Sequence, residues 1–307
     1  MKFKGLIAAT FTPMTQDGKI NVSAIPAIVE RLIAHNISGI YICGSTGEGH
    51  SLSVRDRKLV TESFIQAVNG RMKIIINVGH NSIEDACDLT RHARFINADA
   101  ISAAPPVYYK LRSEDQLIKT FEKITAEAPE IPFYYYHIPA MTGFKFDMEE
   151  FLRLSSSRLP SLQGIKFTSP DIHEYQSCLN MSGGKYQILY GMDEMLLSGL
   201  AAGAECMIGS TYNFMAPLYH EIMENFKKGD LKSAAQHQLE AVKIIKTFLK
   251  YDSLPAQKAI MRMVGADCGP VVLPLIALKP QEVESLREEL DQTTLFHWSS
   301  VKVQKTF

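Results

Sequence analysis

Lys166 stands between Ile165 and Phe167 in the run "LQGIKFTSP" (162–170), just before a break at Ser169-Pro170. On an extended strand Ile165 and Phe167 share one face, while Lys166 and Thr168 share the other. One reading is a surface lysine at a strand end. The other is a lysine turned into the interior, where desolvation disfavours the ammonium and frees the neutral amine. A neutral amine attacks carbonyl carbon and forms a Schiff base. Further polar residues follow other apolar runs. "GSTGEG" (44–49) sets Ser45 and Thr46 among glycines, a loop able to turn N–H groups and hydroxyls toward a carboxylate; a tight turn explains it equally. "YYYHIPAMTG" (134–143) places Tyr134 and Tyr136 on one face. "YGMDE" (190–194) carries Asp193 and Glu194, and Asp193 is also a candidate helix N-cap. "GSTYN" (209–213) supplies Ser210.

Something must bring these stretches together. Eight short apolar runs alternate with helix-length segments: 5–11, 39–43, 73–79, 99–105, 131–137, 163–167, 187–191 and 205–210. Between them lie amphipathic segments such as 23–36, 54–70 and 82–97. Repeated βα units of this spacing predict a (β/α)8 TIM barrel. A doubly wound open sheet is the alternative, but no G-x-G-x-x-G follows the first run. In a barrel, chemistry collects at the C-terminal strand ends, which is where the polar stretches fall. An outward face packs on helices and wants Ile165 and Phe167, so Lys166 and Thr168 point into the mouth. After residue 210 the pattern is helical. We expect the barrel over 1–225, a C-terminal helical extension packed on it over 226–292, and an irregular tail over 293–307.

Composition narrows the function classes. The 307 residues are 46% hydrophobic and 21% charged, with a formal net charge of −1 from 32 basic and 33 acidic residues. That is globular, and it argues against a nucleic-acid or anionic-membrane partner. The apolar start "GLIAATF" is short and ends at Thr12-Pro13 without a small-residue cleavage site, so we read it as a first strand and not a signal peptide, and no apolar stretch approaches the length of a membrane span. Five widely spaced cysteines without a C-x-x-C favour reduced thiols and a cytoplasmic protein. No metal-ligand spacing occurs among the nine histidines.

Taken in order, "GSTGEG", "YYYHIPAMTG", "GIKFTS", "YGMDE" and "GSTYN" make the chain resemble the pyruvate-dependent class I aldolases related to dihydrodipicolinate synthase. Within them it is most similar to the animal-type sialic acid aldolases, over roughly residues 4 to 290. The resemblance implies a Schiff base on Lys166 and acid–base work by Tyr136. It gives Ser45 and Thr46 the pyruvate carboxylate. It sets Thr168, Gly191, Asp193, Glu194 and Ser210 against the polyhydroxylated end of a sugar acid. It places Tyr108, in a stretch where the family varies, near a position that approaches a neighbouring subunit's site. It also implies reversible cleavage of N-acetylneuraminate to N-acetylmannosamine and pyruvate, no cofactor beyond the covalent lysine, and a homotetramer. Dihydrodipicolinate synthases carry an arginine for a second carboxylate where Met141 stands here. A thioether cannot replace a bidentate guanidinium, which disfavours that branch. A related aldolase or dehydratase on another 2-oxo acid, and a silent sugar-acid-binding barrel, are the alternatives.

Overall fold

The computed structural model describes residues 2–300. Among them, eight parallel strands close into a barrel in chain order. They are β1 (Gly5–Ala9), β2 (Gly39–Ile42), β3 (Lys73–Asn77), β4 (Ala100–Ala103), β5 (Phe133–His137), β6 (Leu162–Phe167), β7 (Gln187–Tyr190) and β8 (Cys206–Gly209). β8 returns to β1, with Gly5 opposite Cys206 and Ala8 opposite Gly209. This is the expected (β/α)8 barrel, and each strand falls within or one residue beyond the run that predicted it.

Helices cover the outside: α1 (Ile25–Ala34), α2 (Val54–Val68), α3 (Ile83–Phe95), α4 (Glu114–Thr125), the single turn α5 (Pro139–Thr142), α6 (Met148–Ser155), α7 (Ile172–Asn180), α8 (Leu196–Ala201) and α9 (Tyr212–Lys227). Several start on a polar cap: the side chains of Ser53, Ser82, Ser113 and Asp147 each accept the N–H of the residue three further on. A cap of this kind stabilises a helix by about 1 kcal/mol.

Alternation along the strands divides the apolar residues into two clusters. Ile40, Ile42, Ile165 and Phe167 face the helices. Ile7, Tyr41, Ile75, Tyr134, Tyr136, Leu189 and Ile208 fill the barrel. Lys166 sits between two outward residues on β6 and therefore turns inward, where it is 4% exposed.

Beyond α9 come α10 (Leu231–Phe248), α11 (Ser253–Met263), α12 (Pro280–Asp291) and α13 (Leu295–Ser300). α10 and α13 both pack on α9. The tail differs from the expectation of an irregular 293–307, because Leu295–Ser300 is a helix. Its anchors are long-range ones: Trp298 Nε1 donates to Glu240 Oε2, and Arg31 Nη2 donates to the carbonyl of Ser299, each at 2.9 Å. Residues 301–307 lie outside the described residues. All five cysteines are buried and unpaired. No described helix is long and apolar enough to cross a membrane.

Candidate active site

A cavity of about 260 Å³ opens at the C-terminal ends of the strands. That is the scale of a small metabolite, not of a polymer. Its lining contains Ser45, Thr46, Tyr136, Lys166, Thr168, Gly191, Asp193, Glu194 and Ser210, so the fold brings together all nine residues singled out from the sequence.

Lys166 lines this cavity and is itself buried. Its Nζ lies 3.9 Å from the ring centre of Tyr41 and 3.8 Å from that of Tyr136. The ring faces favour an ammonium. Burial opposes it more strongly and brings the amine from 10.5 down to about 7, against the pull of the Asp193 carboxylate. At neutral pH a large fraction of Lys166 is therefore unprotonated and nucleophilic.

Tyr136 reaches the mouth from β5, and its hydroxyl lies 3.3 Å from Ser45 Oγ. Burial pushes the phenol up to about 12, with the hydroxyls of Ser45 and Thr168 pulling the other way. The phenol stays protonated at neutral pH, so it can accept a proton only while passing its own on. Ser45 is placed for such a relay.

The loop holding Ser45 and Thr46 has a tightly specified backbone. Cys43 and Glu48 both adopt left-handed φ, at 58° and 54°. A Cβ on Gly49 would lie 1.9 Å from the Cys43 carbonyl oxygen, so only glycine fits that close approach. Gly191 leaves room for a cavity side chain, because a Cβ there would sit 2.2 Å from Thr168 Oγ1 and displace it.

Asp193 is not a helix N-cap. It opens the short turn Asp193–Met195 and points across to the loop after β8. Its Oδ2 accepts the Thr211 N–H at 2.9 Å and the Thr211 hydroxyl at 2.5 Å. The Tyr219 hydroxyl supports Thr211 Oγ1 in turn, at 2.7 Å. Burial raises Asp193 to about 7 despite those hydrogen bonds. Asp193 and Lys166 thus influence each other's charge across one cavity.

Other motif residues lie elsewhere. Tyr134 faces inward but sits deeper, where its hydroxyl bonds Gln187 Oε1 at 3.1 Å. His137 faces outward and packs against Tyr135 and Phe167. Tyr108 and Met141 do not line the cavity and are 80% and 68% exposed.

Sequence reasoning missed two groups. Tyr41 carries a signal, since it alternates with outward Ile40 and Ile42 on β2. Its hydroxyl lies 3.1 Å from Ser102 Oγ, which fixes the ring over Lys166. The second group is the far wall: Ile245, Phe248 and Leu249 around the end of α10, and Ser253 and Gln257 from α11. Nothing local in a helical run marks which face will cap a barrel mouth. Lys166 is the only lysine or arginine lining the cavity among the described residues.

The chain is similar to several known proteins over nearly its whole length. The chicken (Gallus gallus) N-acetylneuraminate lyase is 38% identical over 295 residues, covering 94% of this chain and 96% of that protein. The solved Proteus mirabilis N-acetylneuraminate lyase superposes with a TM-score of 0.94 at 39% identity, covering 96% of this chain and all of that one. The sialic acid aldolase of Aliivibrio salmonicida gives a TM-score of 0.93 at 37% identity, covering 96% and 98%. The dihydrodipicolinate synthetase family profile matches residues 2–293. With that match spanning the barrel, the cavity and most of the C-terminal helices, the chain belongs to the dihydrodipicolinate synthetase family.

Proposed function

We propose that the chain is a class I aldolase that cleaves N-acetylneuraminate reversibly into N-acetylmannosamine and pyruvate through a Schiff base on Lys166. The observation that carries this reading is the buried amine of Lys166, held near neutrality beneath Tyr41 and Tyr136. The substrate class is supported by the names of relatives that match almost end to end. It is supported also by the charges in the cavity. A substrate with a second carboxylate would find no further cation there, whereas Asp193 and Glu194 suit hydroxyl donors.

The neutral amine of Lys166 adds to the C2 ketone of the open-chain sugar acid, and loss of water with uptake of one proton leaves an iminium. Ser45 and Thr46 hold the substrate carboxylate beside it. The C3–C4 bond breaks as the C4 hydroxyl loses its proton, and the electron pair flows into the iminium to give an enamine. The Tyr136 hydroxyl, coupled to Ser45, relays that proton. N-acetylmannosamine leaves as the aldehyde. Protonation at C3 and hydrolysis release pyruvate and restore the amine. The iminium is the electron sink, so no diffusible cofactor enters the scheme. Thr168, Gly191, Asp193, Glu194 and Ser210 meet the sugar end. By the same reading the enzyme works in the cytoplasm as a homotetramer, with exposed Tyr108 and Tyr109 as surface for a neighbouring subunit.

The test is a product assay. N-acetylneuraminate should yield pyruvate and N-acetylmannosamine in equal amounts. A kcat/KM tenfold or more higher for 4-hydroxy-2-oxoglutarate, or for pyruvate with aspartate semialdehyde, would remove the sialic acid assignment.

A further inference from the structure

The loop carrying Ser45 and Thr46 ends in a carboxylate that never reaches the cavity. Glu48 turns its side chain away from solvent and meets Lys258 of α11, Oε1 to Nζ, at 2.6 Å, with the two side chains 1% and 2% exposed. The Lys258 ammonium also donates to the Thr12 carbonyl at 3.0 Å and the Pro270 carbonyl at 2.7 Å. Glu48 Oε2 accepts the Val272 N–H at 2.6 Å. Four segments distant in sequence therefore converge on one buried ion pair.

Such a pair is a poor source of stability. Desolvating two charges is costly, and apolar residues of similar volume often serve a core as well or better. What the pair supplies is fixed geometry. The Glu48 N–H donates to the Ser45 carbonyl at 3.0 Å, so the residue held by Lys258 closes the turn that presents Ser45 and Thr46. From the other side, Thr12 Oγ1 donates to the Gly47 carbonyl at 2.6 Å. Lys258 directly follows Gln257, which lines the far wall of the cavity together with Ser253. One clamp thus spans both walls: the loop facing the substrate carboxylate and the helix facing its other end.

We propose that Glu48 and Lys258, with Thr12, are positioning residues that hold the Ser45–Thr46 loop in register with α11 for binding a 2-oxo acid. None of the three touches the reacting atoms. The inference rests on the reading that Ser45 and Thr46 take the substrate carboxylate.

The experiment measures half-saturating pyruvate for borohydride trapping at Lys166, together with melting temperature and kcat for N-acetylneuraminate cleavage. Lys258→Met or Glu48→Gln alone strands one buried partner, so the melting temperature falls and half-saturation rises. The double variant Glu48→Gln with Lys258→Met removes both charges at nearly constant volume. Its melting temperature should rise above those of the single variants, short of the wild type because the Thr12 and Pro270 carbonyls still lack their donor, while half-saturating pyruvate stays at least tenfold raised and kcat stays within threefold. Thr12→Val, isosteric and uncharged, should raise half-saturation at least threefold with little thermal effect. It decides the question alone should the double variant not fold. The inference is overturned if half-saturation in the double variant recovers along with its melting temperature, or if Thr12→Val binds pyruvate like the wild type. A wild-type enzyme that traps no pyruvate would instead overturn the proposed function on which the inference stands.

Discussion

Replacing Lys166 by methionine should make the protein more stable, not less. The amine is buried and held near pH 7 in the fold, against 10.5 for a free lysine. Each pH unit of displaced protonation is worth about 1.36 kcal/mol. At pH 8 the unfolded lysine carries its proton and the folded one largely does not, so the unfolded state gains about 3 kcal/mol from this one group. The Tyr41 and Tyr136 faces attract only the ammonium, so at pH 8 they return little of that. A methionine of similar length neither gains nor loses a proton. The sign follows: a lysine with a lowered folded pKa costs stability below its unfolded value, and that cost fades as pH rises from about 7 toward 10.5. Urea unfolding of both proteins at equal concentration should therefore find Lys166→Met more stable by about 1–3 kcal/mol at pH 8, and by less than about 1 kcal/mol at pH 10. Taking the difference between the two proteins cancels the titrating groups that do not feel Lys166; Asp193, which does, is raised further once the amine is gone. A variant no more stable at pH 8, or a gap that does not shrink with pH, would mean that the amine is not kept neutral by burial.

Tyr136→Phe removes the relay hydroxyl while keeping the ring over Lys166, and should lower kcat by about 10²–10⁴-fold. A change within about twofold would dismiss the relay. The pH profile of kcat/KM should fall on the acid side as Lys166 takes up a proton, with its midpoint near about 7. A profile flat down to pH 5 would contradict that. Asp193→Asn retains a partner for Thr211, which alanine would not. It should reduce kcat/KM for N-acetylneuraminate at least tenfold yet leave half-saturating pyruvate within threefold. Equal losses in both would make Asp193 a structural post for the loop after β8.

How much was legible in the sequence depended on the range of the signal. Strands β1 to β8 were readable because each is a short apolar run buried on both faces and separated from the next by a helix. The inward turn of Lys166 followed from the period of two and its outward neighbours Ile165 and Phe167. The cavity residues of the barrel followed from lying at or just past strand ends. What stayed hidden depends on contacts distant in sequence. Asp193 looked like a possible N-cap, since its partner Thr211 is far along the chain and pairs with it only when β7 and β8 close up. The helix Leu295–Ser300 is short and carries weak periodicity, and it is set in place by Glu240 and Arg31. The far wall and Lys258, the partner of Glu48, come from α10 and α11, whose amphipathic pattern says that one face is buried but not against what.

The central claim is that Lys166 forms the covalent bond to substrate. Incubating the protein with pyruvate and borohydride, then mapping peptides by mass spectrometry, tests this most directly. The account predicts one reduced pyruvoyl adduct per chain, on the peptide containing Gly164-Ile165-Lys166-Phe167, and none in Lys166→Met. An adduct on another lysine, or no adduct in a folded wild-type protein, would contradict it.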